Sequence, residues 1–400
     1  MDRSSFLRLI SPEGQALLAE VGELDSKTDV LALVSKLRKH GHSPELVADV
    51  LSQAKLRRRA QAKFGDFAST MFFTEAGLEQ ASRLKVAAIH AGRFRSAGVT
   101  DVADLGCGIG AESLAMASLD INVSAFELDE VTAAMATYNL AKFNNVKVEQ
   151  ADVTKLDLTR FGGFFIDPAR RELDGPARES TKRKFDLTDL TPSFDFVLKI
   201  AKTKPTIAKL GPGIDHKDIP AEAEAVWVSD NGDLVEASLY FNQVRRAEVA
   251  RAALLITPDG THEITSPNRA RTDAPIDDLA EYIFEPDNSV IRSHLVAELA
   301  EANELHLFAP EIAYLTGSKE LISPWLKSYR VLDNLSFDRK KLKAYLRERG
   351  IGTLEIKKRG ADITPEQLRR ELDPKGPNSA TLIVTRVGST HRVLVVEGLK

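Results

Sequence analysis

The stretch D-L-G-C-G-I-G, Asp104 to Gly110, decides how this 400-residue chain is read. Ahead of it, Val99 to Ala103 (VTDVA) reads as a short buried strand. Behind it, Ala111, Ser113, Leu114 and Ala117 continue at helical spacing. A strand that turns through glycines into a helix offers a ligand backbone N–H groups and the positive helix end. Glycines suit such a turn because a Cβ would obstruct the ligand and because they accept positive φ. Asp104 closes the strand just ahead of Gly106, Gly108 and Gly110.

Two kinds of loop share this pattern. Gly106, Gly108 and Ala111 satisfy G-x-G-x-x-A, which seats a pyrophosphate on the helix end. The alternative is the S-adenosylmethionine (SAM) loop of class I methyltransferases, where an acid precedes the first glycine. A carboxylate at Asp104 would repel a pyrophosphate but could order the ammonium of a methionine moiety, which favours the second reading.

From Val99 onward, strands and helices alternate. Candidate strands are Val99–Ala103, Val123–Phe126, Val146–Glu149, Phe164–Ile166, Thr206–Leu210, Ala225–Ser229 and Glu236–Phe241, with a helix over Glu130–Phe143. Alternation of this kind predicts a mostly parallel, doubly wound Rossmann-like sheet with its site at the carboxyl ends of the strands. Acids fall at those ends. Glu127 follows the second strand, where a carboxylate can take both ribose hydroxyls, and Asp152 follows the third, beside the expected adenine edge.

The fourth strand ends in FFIDPARR, Phe164 to Arg171. Asp167-Pro168 at a strand end faces the cofactor across the switch point, and proline fixes the turn so that nearby carbonyls can accept from a substrate amine. Methyltransferases acting on nucleobases carry Asp/Asn-Pro-Pro-aromatic or Asp-Pro-Pro-Arg here; a nicotinamide enzyme has no use for it. Beyond it, Glu172 to Lys184 carries Arg178, Lys182, Arg183 and Lys184 as a candidate substrate lid, and Lys209 with Gly211-Pro212-Gly213 forms a second wall.

Residues 1–95 read as helices. Leu7, Ile10, Leu17, Leu18, Val21 and Leu24 space as an amphipathic pair interrupted at Pro12 and Gly14, another helix follows a Ser26/Asp29 capping box, and one starts at Ser43-Pro44 and runs towards Phe64 with Lys55, Arg57, Arg58, Arg59 and Lys63. That basic run is either a solvated face or a phosphate-contacting edge. Thr74 caps a helix holding Leu78, Ala81, Leu84, Val86 and Ile89. From about Pro324 a smaller module follows: a basic helix at Asp338–Arg349, a strand at Thr353–Lys358, a helix capped by Thr364, and a hairpin of Ala380–Val387 and His391–Glu397.

Net charge is −4, yet residues 331–400 hold 15 Lys and Arg against 9 Asp and Glu, a net of +6 that leaves −10 for the rest. A basic module on an acidic body suits docking to a polyanion, and Lys357-Lys358-Arg359 is its densest run. The single cysteine, Cys107, leaves no internal disulfide and suits a reducing cytosol. The eight histidines show no metal-ligand spacing, so no metal is expected. No apolar run approaches a membrane span and the N-terminus lacks a signal h-region, so a cytoplasmic protein is expected.

DLGCGIGAESLAMA, FELDEVTAAMATYNL, FIDPARR, KLGPGIDHKDIP, YIFEPDNSVIR and LEIKKRG together resemble the bacterial class I SAM-dependent methyltransferases with a C-terminal THUMP-like domain. FFTEAGLEQASRLKVAAIHA is similar to the segment before the loop in trimethylguanosine synthase-like enzymes. The resemblance implies an α/β fold in four segments: 1–95 helical, 96–245 SAM-binding, 246–323 connecting, and 324–400 THUMP-like. It implies SAM as cofactor, held by Thr74, Asp104, Gly106, Gly108, Gly110, Glu127 and Asp152. It also implies catalysis around Asp167, Pro168, Ala169 and Arg170 on a base of structured RNA, tRNA or rRNA. Ala169 stands where the second proline is usual and Arg170 where an aromatic is usual, so a non-catalytic RNA-binding protein or assembly factor is the competing expectation.

Overall fold

Helices α1 (Arg3–Ile10), α2 (Pro12–Val21), α3 (Val30–Lys39), α4 (Pro44–Phe64), α5 (Glu75–Gln80) and α6 (Leu84–Ser96) precede the first strand of the computed structural model. The structure describes residues 1–22, 24, 29–170 and 187–399, with only the backbone of Arg170. Ser26 and the lid segment Glu172–Lys184 lie outside these residues. Asp2, Ser11, Asp29, Ser43 and Thr74 each accept the N–H three residues on, which is why α1 to α5 begin where they do.

Two expectations change in this region. Gly14 lies inside α2 instead of breaking it, because a Cβ there would stand 2.1 Å from the Arg8 carbonyl where α1 and α2 meet. The helix expected from Thr74 through Ile89 is two helices, with Ala81 extended at ψ 139°. Lys63 Nζ donates to the carbonyls of Leu78, Glu79 and Ala81, each at 2.8 Å, and so satisfies the end of α5.

The chain forms two units. The first comprises Met1–Leu210, Ile214–Ala223 and Ser238–Arg246; the second comprises Gly211–Gly213, Glu224–Ala237 and Ala247–Lys400. In the first, β1 (Asp101–Leu105), β2 (Asn122–Glu127), β3 (Val146–Gln150), β4 (Gly163–Ile166) and β7 (Thr206–Leu210) stand in the order β7-β4-β1-β2-β3, all parallel. Helices α7 (Ala111–Ala117), α8 (Glu130–Leu140) and α9 (Phe194–Ala201) connect them. A short ribbon pairs β5 (Ala169–Arg170) with β6 (Leu190–Thr191). The first strand begins two residues later than Val99, whose N–H is still bonded to the Phe94 carbonyl of α6. Phe6, Leu17, Val50, Phe64, Phe72 and Phe73 share one core with Ile109, Leu114 and Leu140, so the N-terminal helices cover the glycine turn.

The chain passes between the units along β9 (Asp233–Phe241). The second unit contains β8 (Glu224–Asp230) parallel to β10 (Arg251–Thr257), which pairs antiparallel with β11 (Gly260–Ser266). Its other sheet has the order β13-β14-β12-β15-β18-β17-β16. Those strands are β12 (Tyr282–Pro286), β13 (His306–Leu307), β14 (Leu315–Gly317), β15 (Leu326–Ser336), β16 (Ile351–Lys358), β17 (Asn378–Val387) and β18 (Thr390–Gly398). Helices α10 (Asn288–Arg292), α11 (Val296–Ala302), α12 (Arg339–Glu348) and α13 (Pro365–Leu372) complete the unit. Residues that read as a connection in sequence thus supply three strands of this sheet.

Candidate active site

The glycine turn takes its shape from backbone bonds. The N–H groups of Gly106 and Cys107 both donate to the Phe126 carbonyl at 2.9 Å, and Gly110 N–H donates to the Cys107 carbonyl at 2.9 Å. Gly106, Gly108 and Gly110 have φ of 95°, 54° and 93°, in the left-handed region where a side chain is strained. Their surroundings differ. A Cβ on Gly110 would press on Leu140 Cδ1 at 2.9 Å, so this glycine serves packing. A Cβ on Gly108 would meet nothing within 4 Å among the described residues, and one on Gly106 only the Asp167 carbonyl at 3.9 Å. An open cradle lies over these two, bordered by the end of β4. Cys107 is buried and burial drives its thiol well above the usual range, consistent with a small packing residue.

The acids divide by environment. Asp104 is 1% exposed and accepts the Ser113 hydroxyl at 2.6 Å. Burial pushes its carboxyl up to about 7, against the lowering effect of Ser113 and helped by the charges of Glu112, Asp167 and Glu127. Glu127 ends β2 with one oxygen accepting Gly108 N–H at 3.0 Å and the other accepting Leu128 and Asp129 N–H at 2.9 and 3.1 Å. It ties the glycine turn to the next strand end. Asp152 follows β3, whose Gln150 stands opposite Glu127, and accepts the Thr154 N–H and hydroxyl at 3.0 and 2.6 Å. Those bonds, then Lys155, hold it down to about 2. Thr74 is spent on capping α5, and the first turn of that helix sits on the glycine turn: a Cβ on Gly77 would meet Ile109 Cγ2 at 2.8 Å.

The register of β4 and β7 sets Ile166 opposite Ala208 and brings the next residues, Asp167 and Lys209, together. Lys209 Nζ lies 2.5 Å from Asp167 Oδ2 and 3.2 Å from the Gln80 carbonyl. Pro168 is buried, Ala169 exposed, and Ala169 and Arg170 pair with Thr191 and Leu190. The expected carbonyl turn is therefore the start of a two-stranded ribbon, because backbone groups of Ala169 and Arg170 find partners across it.

In the basic run of α4, Lys55 is exposed to solvent while the other four side chains make contacts within the first unit. Arg57 donates to the Met71 carbonyl, Arg58 to the Leu24 carbonyl, Arg59 pairs with Glu75, and Lys63 holds the end of α5. In the second unit, Lys357 Nζ lies 2.8 Å from Glu285 and Arg359 3.7 Å from the same carboxylate, so two of the three residues in the Lys357-Lys358-Arg359 run are drawn to one internal partner. Lys358 is exposed, and α12 adds Lys340, Lys341, Lys343 and Arg347, all facing solvent. Among the described residues no group of three or more His, Cys, Asp or Glu is arranged to hold a metal ion. Nor is any helix there long and apolar enough to cross a membrane.

Residues 326–398 match the model of the THUMP domain-like family, and residues 2–60 match that of a domain of unknown function. Over 346 residues, 84% of this chain and 91% of the relative, the sequence is 30% identical to an uncharacterized S-adenosylmethionine-dependent methyltransferase of Mycobacterium tuberculosis, in strains CDC 1551 and H37Rv alike. This chain belongs to the S-adenosylmethionine-dependent methyltransferases. A crystal structure described as a proposed methyltransferase from Porphyromonas gingivalis W83 superposes with a TM-score of 0.69 at 18% identity, covering 94% of this chain and 98% of that one, which shows a shared fold.

Sequence reasoning missed several polar residues that position the candidate site. Asn139 of α8 accepts Phe72 N–H at 2.7 Å and donates to the Phe72 and Ile109 carbonyls, clamping the glycine turn. Gln53 of α4 does the same for both backbone groups of Phe73. His90 bridges Glu112 of α7, at 3.1 Å, and Ser238 of β9, at 3.2 Å. Each interrupts a helix's apolar face at core spacing: Asn139 after Met135 and Ala136, His90 after Val86 and Ala87. A polar residue in the buried register was the available signal.

Proposed function

We propose that this methyltransferase transfers the methyl group of SAM to a base in structured RNA, tRNA or rRNA. The reading rests on one juxtaposition: the Asp167 carbonyl borders the open space over Gly106, so acceptor and cofactor positions adjoin. The residues present fit SAM. Gly106 and Gly108 leave room that a Cβ would fill, and Glu127 keeps lone pairs for ribose hydroxyls after accepting its three N–H bonds. Asp104, buried with no cation paired to it among the described residues, would be an acceptor for the methionine ammonium. Asp152 would reach the adenine side, while Thr74 and Gly110 would act by shaping the turn.

SAM supplies an electrophilic methyl on a sulfonium. The chain's task is to align the attacking nitrogen, for which effective molarity contributes about 7–11 kcal/mol at best. Asp167 would accept a hydrogen bond from that nitrogen and hold its departing proton. Pro168 keeps Asp167 at the strand end, and Ala169 and Arg170 fix it through their ribbon. The RNA reading is carried by the THUMP-like match and the exposed cations of α12. We keep the division 1–95, 96–245, 246–323 and 324–400 as a proposal for functional segments, and a cytoplasmic location follows from an RNA substrate.

The test is methylation of total RNA from a deletion strain by the purified chain, followed by nucleoside mass spectrometry against wild-type RNA. A single methylated nucleoside, restored by the chain and absent with Gly106→Val, is the expected result. Tight RNA binding with no transfer would instead make the chain a non-catalytic RNA-binding protein.

A further inference from the structure

Three neighbouring strands of the second unit end one face of their sheet on a basic residue. Helices α12 and α13 cover that face through Leu342, Leu346, Leu368 and Leu372, which share a core with Ile356, Val384 and Val393. Alternation along each strand carries the same face on to Lys358 in β16, Arg386 in β17 and His391 in β18. The register sets Arg386 opposite His391, and Lys358 opposite Val384, two residues before Arg386. Phe337, directly after β15 and one residue past the Ser336–Arg392 pair, extends the row. Its ring centroid lies 6.4 Å from that of His391. Neighbouring strands stand about 4.8 Å apart, so the four positions span about 14 Å, enough for a dinucleotide.

The side chains of this row are within reach of a ligand. Lys358 and His391 are exposed, and Phe337 and Arg386 are half-buried. Neither Lys358 nor Arg386 has a side-chain hydrogen bond or ion pair among the described residues. Arg386 lies against Gly360, where a Cβ would stand 3.4 Å from its Nε. That Nε is buried and unbonded, which leaves the two Nη groups as the outward donors. A half-buried guanidinium with no acceptor is costly, and such a group persists where a ligand supplies one. The acids adjoining the row in sequence or space are engaged elsewhere. Asp338 caps α12, and Glu371 holds Arg339, whose guanidinium lies 5.5 Å from the Phe337 ring centroid. Asp362 is exposed and pairs with neither cation among the described residues.

We infer that this row binds an unpaired stretch of the RNA, with a base stacked on His391 beside Phe337 and the adjoining phosphate held by Arg386 Nη and Lys358 Nζ. Rings set beside cations fit single-stranded nucleic acid, because every base has a π-face and every link carries a phosphate. An acidic peptide would use the two cations and leave the rings without a task. The inference rests on the RNA reading given above and gives that RNA a specific contact in the second unit.

The test uses the full chain and three probes: an RNA hairpin with an unpaired tail, the same hairpin without the tail, and polyglutamate. Fluorescence anisotropy reads binding, and methyl transfer into total RNA from the deletion strain reads activity. Wild type should bind the tailed hairpin more tightly than either other probe. Arg386→Gln should weaken that binding about tenfold or more, as loss of a charged hydrogen bond implies, and Arg386→Lys should recover part of it. His391→Ala should weaken it about fivefold or more through lost stacking, without changing the weak binding of polyglutamate. Lys358→Gln should lower the salt slope by about 0.7, the share of one single-strand phosphate. These variants remove no internal hydrogen bond among the described residues, so melting temperature and SAM affinity should stay at wild-type values. Equal binding of the two hairpins, a tailed-hairpin affinity indifferent to Arg386 and His391, or polyglutamate bound as tightly as RNA overturns the inference. In each of those cases continued transfer into RNA leaves the proposed function standing. A wild-type chain that binds SAM yet neither binds nor methylates RNA overturns both.

Discussion

Lys209 Nζ sits 2.5 Å from Asp167 Oδ2 because β4 and β7 are parallel neighbours that set Ile166 opposite Ala208. The ammonium holds the carboxylate at the edge of the glycine cradle and competes with an incoming acceptor for the same oxygen. Substrate binding therefore has to share or displace that contact. Orientation is the role this geometry suits best, since the strand ends, the ribbon after Pro168 and Lys209 all restrain Asp167.

Asp167→Ala should lose at least about 10²-fold in kcat, the usual worth of a positioned acid–base or orienting group. SAM affinity should change little, because the cradle is formed by β1 and β2. Asp167→Asn keeps one acceptor oxygen and should retain part of the activity if Asp167 orients, and none if it must take the proton. Lys209→Met should lower kcat with SAM affinity intact, and Lys209→Arg should recover part of it. A tritium-transfer assay reads all four; a stable, fully active Asp167→Ala chain removes the residue from the mechanism.

The buried Asp104 carboxyl, raised to about 7 by burial, predicts a pH dependence of SAM binding. Between about 4 and 7 the folded chain keeps a proton that the unfolded chain releases, so this group's contribution to stability falls as pH rises through that window. Above 7 the penalty is constant. An ammonium beside Asp104 favours the ionised form, so binding expels a proton below pH 7. Affinity should rise by up to about tenfold per unit towards 7 and then level. Titration calorimetry in buffers of different ionisation heat counts that proton. Ser113→Ala removes the hydrogen bond that opposes the shift and should move the midpoint upward. A SAM affinity flat from pH 5 to 8 would falsify the assignment of the ammonium to Asp104.

Lys340, Lys341 and Lys343 stand exposed on α12, whereas Lys357 and Arg359 converge on Glu285. Charge reversal of the three α12 lysines should weaken RNA binding and reduce its salt dependence by about 0.7–0.9 in log–log slope for each phosphate no longer neutralised. Lys357→Glu should act on folding, since it would set a third carboxylate beside Glu285 and Glu355. Its melting temperature should fall. Filter binding across a salt series, alongside thermal melts, separates the two; an RNA affinity indifferent to the α12 lysines removes that helix from the docking face.

Much of this protein is fixed by local sequence. The glycine turn, the strand-end acids Glu127 and Asp152, the caps Ser43, Thr74 and Thr364, and the hairpin at Gly388 are legible because each depends on residues within a few positions. Periodicity likewise exposes the parallel strands, since a core-facing strand must be apolar wherever it pairs. Tertiary structure alone decided which charges remain available. Glu285 claims Lys357 across 72 positions, Asp167 claims Lys209 across 42, and Asn139 reaches Phe72 across 67. A charged or amide side chain looks the same in sequence whether it meets water or a partner, and only the fold brings that partner within hydrogen-bond distance.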